Sequence, residues 1–184
     1  AGDGLAGQIS NEYFLPQEKL IETGLLEYFH QMVTKYWQTV LTNGNMWQYC
    51  DKKFEHGPHG FDYACKIVSA WTVHQFENEY NPTHWHGGHI SGAGFLKVPE
   101  TLGKHVQEKQ NREYRGGNLQ LIHGSRMFLC HSTMNILPKV GDFYFFPNYL
   151  MHTVFPFKNT KEERRSISFN AYIDNDIYNV YGKA

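Results

Sequence analysis

From residue 66 onward the chain consists of short β-type runs separated by turn residues, and this pattern limits the fold more than any other feature. Each run is bounded by residues that favour turns, chiefly Gly, Pro, Asn and Asp. The predicted strands are Lys66–Tyr80, Ile90–Val98, Leu119–His123, Asp142–Pro147, Thr153–Phe155 and Arg165–Ile173. Many short strands after a helical segment favour a closed or sandwiched antiparallel β fold with helical support.

The helical segment runs from Pro16 to about Leu41, where apolar side chains recur every three or four residues. Such a stripe is typical of an amphipathic helix that packs one face against the rest of the domain. Gly24 costs this helix about 1 kcal/mol relative to Ala and is the point at which it can divide into two. We therefore expect one domain over residues 1–184, with helical support in 1–60 and the β core in 61–175.

The charge and cysteine content exclude several classes of protein. A formal net charge of -1 gives no signal for binding nucleic acid or an anionic membrane. The sequence has three cysteines without a CxxC pair, which predicts neither a disulfide framework nor a thiolate zinc site. No apolar run is long enough for a membrane span, and the first residues lack the pattern of a signal peptide. These features predict a cytoplasmic protein.

Three histidines, His84, His86 and His89, lie within six residues of the sequence "NPTHWHGGHISGAGFLKVP". On an extended chain the side chains of His84 and His86 fall on the same face, so the HxH pair is a candidate for two ligands of one metal ion. The following Gly87 and Gly88 allow a tight backbone turn. A third ligand must come from elsewhere, and His152, between two apolar segments, is the candidate.

A second polar pattern follows in "EERRSISFNAYI", where residues alternate between two faces of a strand. One face carries Arg164, Ser166, Ser168 and Asn170. An arginine and a serine two residues apart can together bind a carboxylate, because the planar guanidinium matches the two carboxylate oxygens. The alternative is an edge strand whose polar face meets solvent.

In this order and spacing the motifs resemble the Fe(II)/2-oxoglutarate-dependent dioxygenase superfamily. Its members have an HxD or HxE pair, a distal His and a later RxS that binds the distal carboxylate of 2-oxoglutarate (2OG). Here "HWHGGH" occupies the first position, His152 the second and "RRS" the third, and Arg164 follows His152 by 164 − 152 = 12 positions.

Further matches extend the resemblance over residues 71–170. The segment "NEYNP" is similar to the strand before the HxD, which implies that Asn78 and Tyr80 contact 2OG. The segments "RGGNLQL" and "LPKVGDFYFFPNYLMHTVFPF" are similar to the Gly-Gly turn after the central loop and to the run that leads to the distal histidine.

One position departs from the superfamily, because His86 stands where the carboxylate ligand is found. The resemblance therefore implies a metal site of His84, His86 and His152, and three neutral imidazoles alter the charge of the centre. His89 is an alternative ligand. If the alignment is shifted, a carboxylate could come from Asp62, Glu77 or Glu79.

The resemblance implies a mainly β domain with N-terminal helices, a double-stranded β-helix (jelly roll, a cupin-like barrel). It implies Fe(II) as cofactor, 2OG and O₂ as cosubstrates, and oxidation of an unidentified substrate, by default hydroxylation, with release of succinate and CO₂. Two other functions stay open: a cupin-type three-His iron dioxygenase without 2OG, and a non-catalytic metal-binding β-sandwich. The polar stretch from Lys97 to Gly117 is expected to cover the mouth of the site.

Overall fold

The computed structural model describes residues 7–50, 65–104 and 113–183. Within these ranges, nine strands form two antiparallel sheets. The strands are β1 (Asn11–Phe14), β2 (Cys65–Gln75), β3 (Asn81–His84), β4 (Ile90–Lys97), β5 (Leu119–Ile122), β6 (Thr133–Ile136), β7 (Phe143–Pro147), β8 (Met151–Val154) and β9 (Arg164–Ile173). Three α-helices lie in the same described ranges: α1 (Gln17–Glu22), α2 (Leu25–Asn43) and α3 (Asn175–Tyr178).

The chain passes repeatedly between the two sheets. The five-stranded major sheet has the order β1-β2-β9-β4-β7, and the four-stranded minor sheet has the order β3-β8-β5-β6. From β2 to β9 the chain leaves the major sheet for the minor sheet and returns three times. This is the topology of a jelly roll, so the predicted double-stranded β-helix with N-terminal helices is confirmed.

The outer face of the major sheet is covered by α2, which contributes Phe29, Val33, Trp37 and Leu41 to the core. The ring of Phe29 stacks on Phe169 of β9 at a centroid distance of 4.6 Å. Gly24 divides the helical segment as the sequence predicts, since its φ of 73° is left-handed and α2 starts directly after it.

The six predicted strands lie at the predicted positions, but some of their ends differ and three short strands were missed. The predicted strand Lys66–Tyr80 ends at Gln75 because Asn78, with a φ of 68°, forms a turn in which the N–H of Glu79 donates to the carbonyl of Phe76. Three strands were not predicted: β1, β3 and β6 have only four residues each, and β3 contains a proline. β1 lies inside the part that was predicted as helical support.

Two expectations fall partly outside the described residues. Of the polar stretch from Lys97 to Gly117, residues 105–112 are not described, so its role as a cover stays a prediction. The carboxylate alternative Asp62 also lies outside the described ranges. Among the residues that are described, no helix is long and apolar enough to cross a membrane.

Candidate metal and cosubstrate site

His84 and His152 are brought together by the pairing of two strands in the minor sheet. His84 ends β3 and lies opposite His152 of β8 in the register of the two strands. His86 follows two residues later, where its backbone N–H donates to the carbonyl of Asn148 over 3.0 Å. One ligand atom from each of the three imidazoles lies within 4.8 Å of the others, a geometry that could hold a metal ion.

Each imidazole of this group, the histidine triad, uses its Nδ1 for a hydrogen bond that orients the ring. Nδ1–H of His84 donates to the carbonyl of Pro82 (2.6 Å), and Nδ1–H of His152 donates to the carbonyl of Leu150 (2.9 Å). These bonds leave the Nε2 lone pairs of the two rings for a metal, since a neutral imidazole has one donor and one acceptor nitrogen.

His86 is oriented by side chains of the major sheet instead of a backbone carbonyl. Its Nδ1 lies 3.1 Å from Oγ of Ser91, and that hydroxyl donates to Oδ1 of Asn170 over 2.9 Å. Because the Ser91 proton is directed to Asn170, the Ser91 oxygen accepts Nδ1–H of His86. The Nε2 atom of His86 then lies 3.1 Å from Nε2 of His84, on the side where the third ring also lies.

Burial keeps the rings of His86 and His152 in the form that binds metals. Desolvation, and to a smaller extent repulsion from the nearby His152 and His84, lowers the pKa of His86 from 6.5 to about 3. Desolvation, and to a smaller extent repulsion from His84, lowers the pKa of His152 from 6.5 to about 4. Both imidazoles are therefore neutral at neutral pH, and neutral imidazole is the ligand for divalent metals.

The turn after His86 needs glycine at one of its two positions. Gly88 has a φ of 89°, and a Cβ there would lie 2.9 Å from the carbonyl oxygen of Ala171. Gly87 has open space around it and no such requirement. The turn sends His89 away from the triad, onto Tyr178, whose ring it stacks on at 3.9 Å.

The alternative ligands that lie in the described ranges, His89, Glu77 and Glu79, are held away from the triad by other contacts. Nδ1 of His89 lies 3.0 Å from the carbonyl oxygen of Ile173. The carboxylate of Glu79 accepts the backbone N–H groups of Ser10 and Phe76, and that of Glu77 accepts the N–H of Asn159. Within the described part of the chain, the metal-competent group that includes His84 contains three histidines and no carboxylate.

Arg164 and Ser166 line the same cavity as the triad, between the two sheets. The cavity has a volume of about 290 Å³ and is also lined by Ser168 and Asn170, so the predicted alternation along β9 holds for the inner face. β9 lies in the interior of the major sheet, between β2 and β4, which rules out the edge-strand alternative.

The guanidinium of Arg164 is a buried cation, 1% exposed. Its Nε–H donates to the carbonyl of Gly117 over 3.0 Å, and its central carbon, Cζ, lies 5.1 Å from the ring centre of Phe95. Desolvation lowers its pKa from 12.5 to about 10, which leaves it protonated at neutral pH. A buried cation on the wall of a cavity provides a site for an anion.

Two predicted cosubstrate contacts are not supported by their positions. Asn78 lies in the exposed turn after β2, and Tyr80 forms a backbone pair with Gln8. Neither lines the cavity, whereas Asn81, one residue after Tyr80, does. The sequence interpretation also missed the roles of Ser91 and Asn170; the alternation of β9 placed Asn170 on the face of Arg164 and was the signal that could have found it.

A comparison with protein-family models finds one match. The family model described as "Putative 2OG-Fe(II) oxygenase" matches residues 69–170, more than half of the chain. No curated protein sequence matches.

Solved structures are similar to this chain at low sequence identity. A prolyl-4-hydroxylase from Pseudomonas putida is 11% identical with a TM-score of 0.51, and the match covers 88% of this chain and 70% of that one. A viral collagen prolyl hydroxylase from Paramecium Bursaria Chlorella virus-1, in a 2OG complex, is 16% identical over 91% of this chain and 82% of that one (TM-score 0.49). A 2OG-Fe(II) oxygenase family oxidoreductase from Burkholderia pseudomallei is 14% identical over 59% of this chain (TM-score 0.42), and this chain spans only 43% of its length.

Proposed function

The chain belongs to the 2OG-Fe(II) oxygenase family, and on that premise we propose that it hydroxylates an organic substrate with release of succinate and CO₂. As a member of this family it is an oxidoreductase that uses Fe(II) and 2OG. His84, His86 and His152 would hold the Fe(II). Arg164 and Ser166 would bind the distal carboxylate of 2OG.

The observation that carries this proposal is the shared cavity. Three imidazoles whose ligand atoms lie within 4.8 Å of one another line it together with a buried guanidinium. A metal site alone would not need a buried cation nearby, because like charges repel in a region of low dielectric constant. A metal site and a buried guanidinium in one cavity are explained if a dianion lies between them and interacts with both.

The donor set fits a divalent first-row metal. Imidazole nitrogens suit Fe(II), and the Nδ1 bonds of the three rings hold them in the orientation that presents Nε2. When bound, Fe(II) and 2OG supply the activation of O₂ and the oxidation of a C–H bond.

The protein contributes positioning and exclusion of water. Arg164 cannot leave the cavity without breaking its bond to Gly117, so its remaining N–H groups are held for a carboxylate. Ser166, buried two residues further along β9, provides a hydroxyl donor on the same wall. Both side chains would orient 2OG with respect to the triad.

A second function is favoured by one observation, the absence of a carboxylate from the triad among the described residues. A cupin-type iron dioxygenase without 2OG would use the same three histidines. That function leaves the buried Arg164 without a purpose, so we place it second.

Succinate formation tests the proposal. The Fe(II)-loaded protein is incubated with 2OG in air, alongside His152→Ala, Arg164→Met and a control His131→Ala, an exposed histidine outside the cavity. We expect O₂-dependent succinate in the wild type and control, none in His152→Ala, and at least a roughly tenfold higher 2OG requirement in Arg164→Met. O₂ consumption that is indifferent to 2OG would favour the second function.

The cytoplasmic location predicted from the sequence is also part of this proposal. Its physical basis is the cysteine pattern, since thiols stay reduced in that compartment. Fractionation of cells that express the protein, with immunodetection, would test it.

A further inference from the structure

A buried glutamine at the end of β2 has an amide of fixed orientation. Gln75 is 0% exposed, and its Nε2 donates to the carbonyls of Glu79 (2.6 Å) and Phe155 (3.1 Å). Because only the NH₂ end of an amide can donate to two carbonyls, Oε1 must be the other end. Oε1 is buried and has no hydrogen-bond partner among the residues that the structure describes.

Gln75 lies directly beside Arg164. The two residues are paired in the register of β2 and β9, and both line the cavity. Directly opposite residues of antiparallel strands have Cβ atoms about 4.5–5.5 Å apart. The side chain of Arg164 makes one hydrogen bond in the described part of the chain, from Nε to Gly117, so its Nη groups are available as donors.

A buried acceptor without a donor and a buried cation with unused donors thus share one end of the cavity. Each is costly by itself, because neither can turn to bulk water. A single water molecule that accepts from an Nη of Arg164 and donates to Oε1 of Gln75 would satisfy both. Such a bridge would also stop the guanidinium from rotating about its bond to Gly117.

We propose that Gln75 is a positioning residue, which orients Arg164 through this bridge so that the guanidinium faces the distal carboxylate of 2OG. Gln75 would thereby set the preference for a 2-oxo acid with a second carboxylate. The inference rests on the proposed function, since it concerns the anchor for 2OG. It involves neither the metal ligands nor the hydrogen bonds that orient them.

The test compares two ligands that differ in that carboxylate. Affinities for 2OG and for 2-oxopentanoate, which has a methyl group in its place, are measured on the Fe(II)-loaded protein without O₂. The variant Gln75→Met keeps the length of the side chain and removes the amide. The control Gln120→Met removes an amide that bonds Asn135 outside the cavity.

We expect Gln75→Met to weaken 2OG binding about tenfold, the effect of one hydrogen bond to a charged group, and to change 2-oxopentanoate binding by less than about twofold. Gln120→Met should change neither. Equal weakening of both ligands, or no change in either, would overturn the proposal, because orientation of Arg164 concerns only the distal carboxylate.

A second variant covers the case in which Gln75→Met does not fold. Gln75→Glu keeps the outline of the side chain but loses the two donations to the carbonyls of Glu79 and Phe155, so its carboxylate would pair with Arg164 instead and compete with 2OG. The preference for 2OG should again be lost; a retained preference would refute the role. If the wild type itself does not prefer 2OG over 2-oxopentanoate, the anchor assigned to Arg164 fails, and with it the proposed function. A wild-type preference that Gln75→Met retains overturns only the role of Gln75.

Discussion

Replacement of Ser91 by alanine should weaken metal binding although Ser91 is not a ligand. Ser91 is fully buried, and its hydroxyl connects Nδ1 of His86 to Oδ1 of Asn170. Without it, the His86 ring can present Nε2 to the metal only with its Nδ1–H unpaired inside the protein. Leaving a buried donor unpaired costs about 1–3 kcal/mol, and about 2 kcal/mol corresponds to about 30-fold in a dissociation constant.

Competition with a chromophoric chelator for Fe(II), under anaerobic conditions, measures this change. The matched control is Ser168→Ala, since Ser168 is a buried serine of the same cavity whose hydroxyl makes no hydrogen bond within the described ranges. We expect the control to stay within about twofold of the wild type. If Ser91→Ala binds the metal as tightly as the control does, orientation of His86 by Ser91 contributes nothing and the reasoning fails.

Two further predictions concern stability. Gly92→Ala should lower the free energy of unfolding by about 1–3 kcal/mol, because its Cβ would lie 2.4 Å from the ring of the fully buried Phe169; chemical denaturation measures this, and Gly182→Ala, with open space, should be neutral. Glu163→Gln should destabilise the protein at neutral pH, because the hydrogen bond from Arg165 lowers the pKa of Glu163 below its ordinary 4.5. The stabilisation by ionised Glu163 is complete above its ordinary pKa and is lost as the pH falls through its lowered pKa. The difference in unfolding free energy between Glu163→Gln and the wild type must therefore vanish in acid. A difference in unfolding free energy that grows in acid would contradict this prediction.

The sequence predicted the elements whose patterns are local. The three-to-four-residue period gave the helical segment and Gly24 gave its division, because both follow from backbone geometry within a few turns. The alternation of β9 placed Arg164 and Ser166 on one face, and the structure brings both to the cavity.

Features that depend on distant residues could not be read in this way. The direction of His89 follows from the turn at Gly88, which is set by the approach of the Ala171 carbonyl from another strand. The sequence marks Gln75 only as part of a strand. Its hydrogen-bond acceptor Phe155 and its cross-strand neighbour Arg164 are about 80 or more positions away in the sequence.

The central claim is that the histidine triad holds Fe(II) and that Arg164 anchors 2OG in the same cavity. The most direct test is a titration of 2OG into the anaerobic Fe(II)-loaded protein, observed through the visible metal-to-ligand charge-transfer band, with His86→Ala and Arg164→Ala in parallel. We expect a saturable band in the wild type, a weak or absent band in His86→Ala, and a much higher 2OG requirement in Arg164→Ala. Iron that binds without any band on addition of 2OG would contradict the account.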